Sequence, residues 1–73
     1  MEITGHTDKG WLKIYINGLL HIALPIKKIN GVQAWADHGW FVIECHSESS
    51  VVVMEYNTIE KWRKILEIIN THL

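Results

Sequence analysis

Five histidines and one cysteine are the residues of this chain with the widest chemical range. Imidazole and thiolate groups bind zinc, and they also act as bases and nucleophiles in catalysis. Neither Cys-x-x-Cys nor His-x-x-x-His spacing occurs among them, so no motif gathers two ligands onto one turn or helix face. The sequence therefore predicts no metal site and no cofactor. The residues considered are His6, His21, His38, Cys45, His46 and His72.

A catalytic cysteine requires a histidine within hydrogen-bond reach of its sulfur. His46 directly follows Cys45, and neighbouring residues on a strand point to opposite faces of the sheet. We therefore expect Cys45 to be a small buried hydrophobic residue, and we expect no enzymatic activity. A hydrolase built on Cys45 is kept as a third hypothesis.

Two basic clusters are the features that would meet phosphate groups. Lys27 and Lys28 form one, while Lys61, Arg63 and Lys64 form the other, among the glutamates of a helix. The formal net charge is −1, without the positive excess that typifies nucleic-acid-binding domains. We therefore do not expect nucleic acid as a partner, and a nucleic-acid or small-ligand binding module is kept as the alternative function.

Alternating apolar and polar residues predict the elements that would position these groups. The pattern predicts an α+β fold, a five-stranded antiparallel meander, either open or strongly curved, with one C-terminal helix packed on one face. The strands are expected at 11–16, 19–24, 31–36, 40–46 and 51–56. For the first hairpin we expect a three-residue loop with a bulge at Gly18, because this register places Leu12, Ile14, Leu20, Ile22 and Leu24 on one face.

The C-terminal helix is the clearest element of the sequence. Asn57 can cap its first turn, and Glu60 follows three residues later to complete a capping box. Apolar residues then recur at helical spacing and should form the buried stripe. They are Ile59, Trp62, Ile65, Leu66, Ile69 and Leu73.

A length of 73 residues predicts one hydrophobic core. We expect residues 1–10 to be a loose N-terminal segment and residues 11–73 to be a single α+β domain. The polar N-terminus, the single cysteine and the lack of a long apolar run predict a cytoplasmic protein with no membrane contact.

The hairpin with Ile16-Asn17-Gly18 at its tip is followed by the isoleucine pair Ile26 and Ile29, two further strands and a capped helix. In this order, over roughly residues 11–70, the chain resembles the short flagellar FlbD-like family. Residues Ser47 to Ser50 stand where that family usually has a second Asn-Gly turn. The resemblance implies no catalytic motif, and the leading expectation is a small bacterial or phage accessory protein.

The expected outer face of the sheet is too apolar for a surface in water. Such a patch normally marks an interface, so we predict a homo-oligomer or docking on a larger protein partner. A sheet curled into a partial barrel would instead bury part of this face itself. The predicted interface residues are Trp11, Tyr15, Leu19, Trp35, Trp40, Val42, Val51 and Val53.

Overall fold

The computed structural model describes residues 1–73, which form six strands and one helix of 14 residues. The α+β class and the C-terminal helix predicted from the sequence are confirmed. The elements are β1 (Ile3–Asp8), β2 (Trp11–Ile16), β3 (Leu19–Pro25), a single 3-10 turn (Ile26–Lys28), β4 (Ile29–Asp37), β5 (Trp40–Ser47), β6 (Val51–Tyr56) and α1 (Ile59–His72).

The strands form two antiparallel sheets, so the prediction of a single five-stranded meander was wrong. The first sheet has the order β1-β2-β3, and the second has the order β4-β5-β6. Pro25 ends β3, and the 3-10 turn Ile26–Lys28 follows it directly. Because proline has no N–H to donate and the turn redirects the chain, β4 does not continue the first sheet.

The N-terminus is ordered, so the expectation of a loose segment over residues 1–10 was also wrong. β1 pairs with β2 from Ile3 opposite Ile16 to Asp8 opposite Trp11. Lys9 and Gly10 form the connecting turn, with φ of 52° and 85°. Successive positive φ values belong to the tight turn that matches the twist of a hairpin. Ile3 is the only buried residue of β1, so the strand lacks the alternation of apolar and polar residues by which strands are predicted.

The β2–β3 hairpin closes through a two-residue Asn17-Gly18 turn, so the three-residue loop predicted for it was wrong. Ile16 pairs with Leu19 and Tyr15 with Leu20, and the register then shifts so that Ile14 faces Ile22. The extra residue is His21, so the bulge lies inside β3 and not at Gly18. This bulge restores the predicted inner positions of Ile22 and Leu24 but leaves Leu20 exposed.

Helix α1 contacts β1 and β2 of the first sheet and β5 and β6 of the second sheet. One core cluster forms between the helix and both sheets. Thr58, and not Asn57, precedes the first helical residue, and it makes no side-chain capping bond. Most of the predicted helix stripe is buried or half-buried, but Ile59 and Leu73 are exposed. The buried core residues are Ile3, Leu12, Ile14, Leu24, Ile43, Cys45, Met54, Tyr56, Ile65, Ile68 and Ile69.

Candidate functional site

The eight predicted interface residues do not form one surface, because the two sheets divide them. Trp11 and Tyr15 lie on the first sheet, where the Tyr15 ring stacks on His6 with 5.1 Å between centroids. Leu19 is opposite Ile16, so it shares the face of Ile16 at the hairpin tip, where it is 75% exposed. Its prediction on the outer face was therefore wrong, and Leu20, opposite Tyr15, takes that place.

The other five predicted residues lie together on the outer face of the second sheet, and we call them the outer patch. Trp35 on β4 faces Val42 on β5, and Val53 on β6 faces Glu44 on β5. The outer patch consists of Trp35, Trp40, Val42, Val51 and Val53.

The outer patch contains a shallow cavity of about 390 Å³ beside its two tryptophans. Val42 lines the cavity and is only 9% exposed although it points away from the helix. Trp35 and Trp40 are 41% and 54% exposed. The aromatic side chains therefore remain in water above a valine that is already covered. Asp37, His38 and Glu55 complete the cavity wall.

Polar groups lie within the outer face as well as at its rim, because Glu44 on the central strand β5 has Gln33 on one side and Val53 on the other. The His46 Nε2 atom lies 3.1 Å from the Glu44 Oε1 atom on the same face. The His38 Nε2 atom lies 3.2 Å from the Asp37 Oδ1 atom in the β4–β5 turn. The outer patch is therefore a mixed surface, with its two tryptophans and Val42 together at the end nearest the β4–β5 turn.

The β4–β5 hairpin extends beyond the part of the sheet that helix α1 covers. Every residue from Gln33 to Trp40 is exposed, including Ala34 and Ala36, which point toward the helix side. His38 and Gly39 form its tip, with φ of 48° and 82°. Both faces of this hairpin are therefore available for contact with another molecule.

Cys45 is 1% exposed and is part of the core, as expected for a small buried hydrophobic residue. Burial raises the pKa of the Cys45 thiol, so the thiol form is favoured over the nucleophilic thiolate. His46 follows it on the opposite face and contacts Glu44. The structure thus brings no histidine from the neighbouring position to the Cys45 sulfur.

Two further polar features were not predicted from the sequence. Tyr56 on β6 and the bulged His21 on β3 form a hydrogen bond of 2.8 Å between the sheets. A polar cavity of about 370 Å³ lies between the 3-10 turn and the β5–β6 loop, where Lys27, Lys28, Ser47 and Ser49 contribute to its wall. Neither could be found from the sequence, because each joins segments that are distant along the chain.

No group of three or more histidine, cysteine, aspartate or glutamate side chains is arranged to hold a metal ion. The helix is also too short and too polar to cross a lipid bilayer. Comparisons with protein-family models, curated proteins and solved structures found no match for the chain. The resemblance to the flagellar FlbD-like family therefore stays a prediction.

Proposed function

We propose that this chain is a non-enzymatic interaction or accessory factor that self-associates through the outer patch. The observation that carries the proposal is the pair of exposed tryptophans, Trp35 and Trp40, beside Val42 on one face of the second sheet. Tryptophan is strongly enriched among the residues that dominate binding energy in protein interfaces. A face with this composition is therefore better suited to bind protein than to remain in water.

The small size of the core supports a second copy of the chain as the occupant. Only 12 of the 73 residues are buried, and a core of this size rarely supplies more than about 3–5 kcal/mol of stability. Association of folded chains adds stability, because only the folded state binds. Because the formal net charge is −1, long-range electrostatic repulsion between two copies is weak.

The absence of catalysis is part of this proposal and rests on the surroundings of Cys45. Its sulfur lies within the core cluster, where burial keeps the thiol protonated and away from solvent. A nucleophile in this position meets neither substrate nor a base on the adjacent residue. Cys45 thus contributes to packing, in the cytoplasmic setting that the sequence predicts.

The test is the substitution Val53→Lys at the centre of the β6 part of the outer patch. Val53 is 50% exposed, so a lysine there should change the free energy of unfolding of the isolated chain by no more than about 0.5 kcal/mol. In an interface the same lysine would be desolvated, and Glu44 opposite it would offset only part of this cost, so contact through the outer patch should be lost. Thr4→Lys is the control, because Thr4 is an exposed β-strand residue of the first sheet.

The mass in solution is measured by sedimentation from about 5 µM to about 1 mM, a range that covers weak association. We expect wild type and Thr4→Lys to form larger assemblies as concentration rises, and Val53→Lys to associate more weakly at every concentration. A wild type that is monomeric throughout, or a Val53→Lys variant that associates as wild type does, would contradict the proposal.

A second candidate, binding of a small anionic ligand, is favoured by the cavity beside Lys27 and Lys28. Neither lysine is engaged in an ion pair, and both are exposed. Titration with inorganic phosphate, followed by amide NMR shifts, distinguishes this function. Shifts at the cavity residues that disappear in Lys27→Ala and at higher salt would support it, and an unchanged spectrum would exclude phosphate as its ligand.

A further inference from the structure

Strand β4 has one edge that no other strand of the chain covers. Its nine residues pair only with β5, and the opposite edge carries N–H and C=O groups with no strand beside them. Edge strands of this kind can pair with another chain unless the sequence prevents it. The exposed section from Gln33 to Asp37 leaves this edge open to a second molecule.

Strand β3 has no strand paired at its second edge, but this edge faces β6 at the His21–Tyr56 hydrogen bond, and β3 contains two features that hinder pairing. His21 forms a bulge in β3, and Pro25 ends the strand without an N–H group. In β4 the bulge lies at Asn30, close to the start of the strand. The following residues, Gly31 to Ala36, contain no charged residue and no proline. β4 therefore lacks the usual protection over most of its length.

We propose that β4 pairs antiparallel with β4 of a second copy, about a two-fold axis at Gln33. The β4-β5-β6 sheets of the two copies then form one six-stranded sheet. In this register Trp35 lies opposite the partner's Gly31. An added Cβ atom at Gly31 would have no atom within 4 Å, so the space above it can receive an indole ring. Val32 lies opposite the partner's Ala34, which places two small apolar side chains together.

The charges at the two ends of β4 are complementary in this arrangement. Lys28 precedes the strand, and Asp37 is its last residue. Antiparallel pairing about Gln33 places Asp37 opposite the partner's Ile29, so Lys28 is one position away from the partner's Asp37, and the two-fold axis repeats this arrangement at the other end. Asp37 contacts only His38, at 3.2 Å and with both side chains largely exposed, so it remains available to a second cation.

Edge pairing is distinct from contact through the outer patch, because it uses backbone groups at the side of the sheet. Association through the β4 edge therefore goes beyond the proposed function. An experiment can contradict either contact without contradicting the other. Val53→Lys probes the outer patch, while substitutions of Gln33 probe the axis. Gln33 is exposed, so its replacement leaves the core unchanged.

The experiment uses Gln33→Glu and Gln33→Lys, measured alone and as an equimolar mixture. At a two-fold axis a residue meets its own copy, so each variant alone brings like charges together and should weaken association by about two- to fivefold. The mixture should associate more tightly than either variant alone, because glutamate then faces lysine. Thr4→Glu and Thr4→Lys, at an exposed position of β1, are the matched controls and should associate as wild type does, alone or mixed.

Amide hydrogen exchange of the wild type then identifies the edge. Protection that grows with protein concentration at those β4 amides that point away from β5 supports edge pairing, because a face contact leaves these groups in water.

A wild type that never associates would overturn both proposals. Association abolished by Val53→Lys, with no gain in the Gln33 mixture and no added β4 protection, would overturn edge pairing and leave the proposed function intact. A gain in the Gln33 mixture with β4 protection, in a protein insensitive to Val53→Lys, would support edge pairing and contradict the outer-patch proposal.

Discussion

The hydroxyl oxygen of Tyr56 lies 2.8 Å from Nε2 of His21, and this contact joins β6 of the second sheet to β3 of the first sheet. The two rings are tilted by 42° with centroids 5.7 Å apart. Tyr56 is 5% exposed, and burial, with a further contribution from Cys45, raises the pKa of its hydroxyl to about 12. Burial and the positive charge of Lys61 lower the pKa of His21. Both pKa shifts favour the state in which His21 and Tyr56 are uncharged.

The lowered pKa of His21 predicts a loss of stability in acid. Because the folded chain binds a proton at His21 less readily than the unfolded chain, the contribution is fully present above about pH 6.5 and is lost as pH falls through the lowered folded-state pKa. His21→Gln should reduce the difference in unfolding free energy between about pH 8 and about pH 5, measured with denaturant. His6→Gln removes a histidine from the first sheet and is the control. An unchanged pH dependence in His21→Gln would contradict this prediction.

The raised pKa of Tyr56 predicts a loss of stability as pH rises into the alkaline range, whereas His21 predicts a loss as pH falls. Its pKa is raised from 10.0 to about 12, so its contribution is present below pH 10 and is lost as pH rises toward 12. Wild type should lose stability over this interval, while Tyr56→Phe should show a smaller loss. Denaturant unfolding at several pH values, with phenolate absorbance to follow ionisation, provides the measurement. If Tyr56→Phe and wild type lose the same stability, the buried hydroxyl is not responsible.

Trp62 anchors the helix to the second sheet through its ring and its indole N–H. The ring lies 5.4 Å from that of Phe41, and Nε1 donates a hydrogen bond of 3.0 Å to the Val42 carbonyl. Trp62→Ala should lower the free energy of unfolding by about 3 kcal/mol, and Trp62→Phe by about 1 kcal/mol through the lost hydrogen bond. Arg63→Ala, an exposed neighbour, should stay within about 0.5 kcal/mol. Equal stabilities of Trp62→Ala and Arg63→Ala would refute this anchoring role.

Gly5 allows β1 to lie against the helix. A Cβ atom at this position would overlap Cγ2 of Ile68, whereas one at Gly31 would meet no atom within 4 Å. Gly5→Ala should therefore lower the free energy of unfolding by about 1–3 kcal/mol, because β1 and α1 must separate. Gly31→Ala should cause no comparable loss. Denaturant unfolding at low protein concentration compares them, and a Gly5→Ala variant as stable as Gly31→Ala would show that the helix accommodates the methyl group.

Local pattern in the sequence determined the class of the fold, most strand positions and the helix. Alternation along β5 and β6 correctly placed Ile43, Cys45 and Met54 inside and left Val51 and Val53 exposed. Helical spacing identified Ile65 and Ile69, which are both buried. These predictions succeed because the direction of a side chain follows from backbone geometry within a few residues.

Tertiary packing decided the features on which the proposed function depends. β1 becomes a strand because β2 pairs with it and Ile68, which is distant in sequence, packs against Gly5. The break at Pro25 and the 3-10 turn after it separate the sheets, and this separation removes Trp11 and Tyr15 from the outer patch. Alternation tells which side of a strand a residue occupies, but it does not tell which strands share a sheet. That choice depends on hydrogen bonds and core contacts between distant segments, and these form only when the whole chain folds.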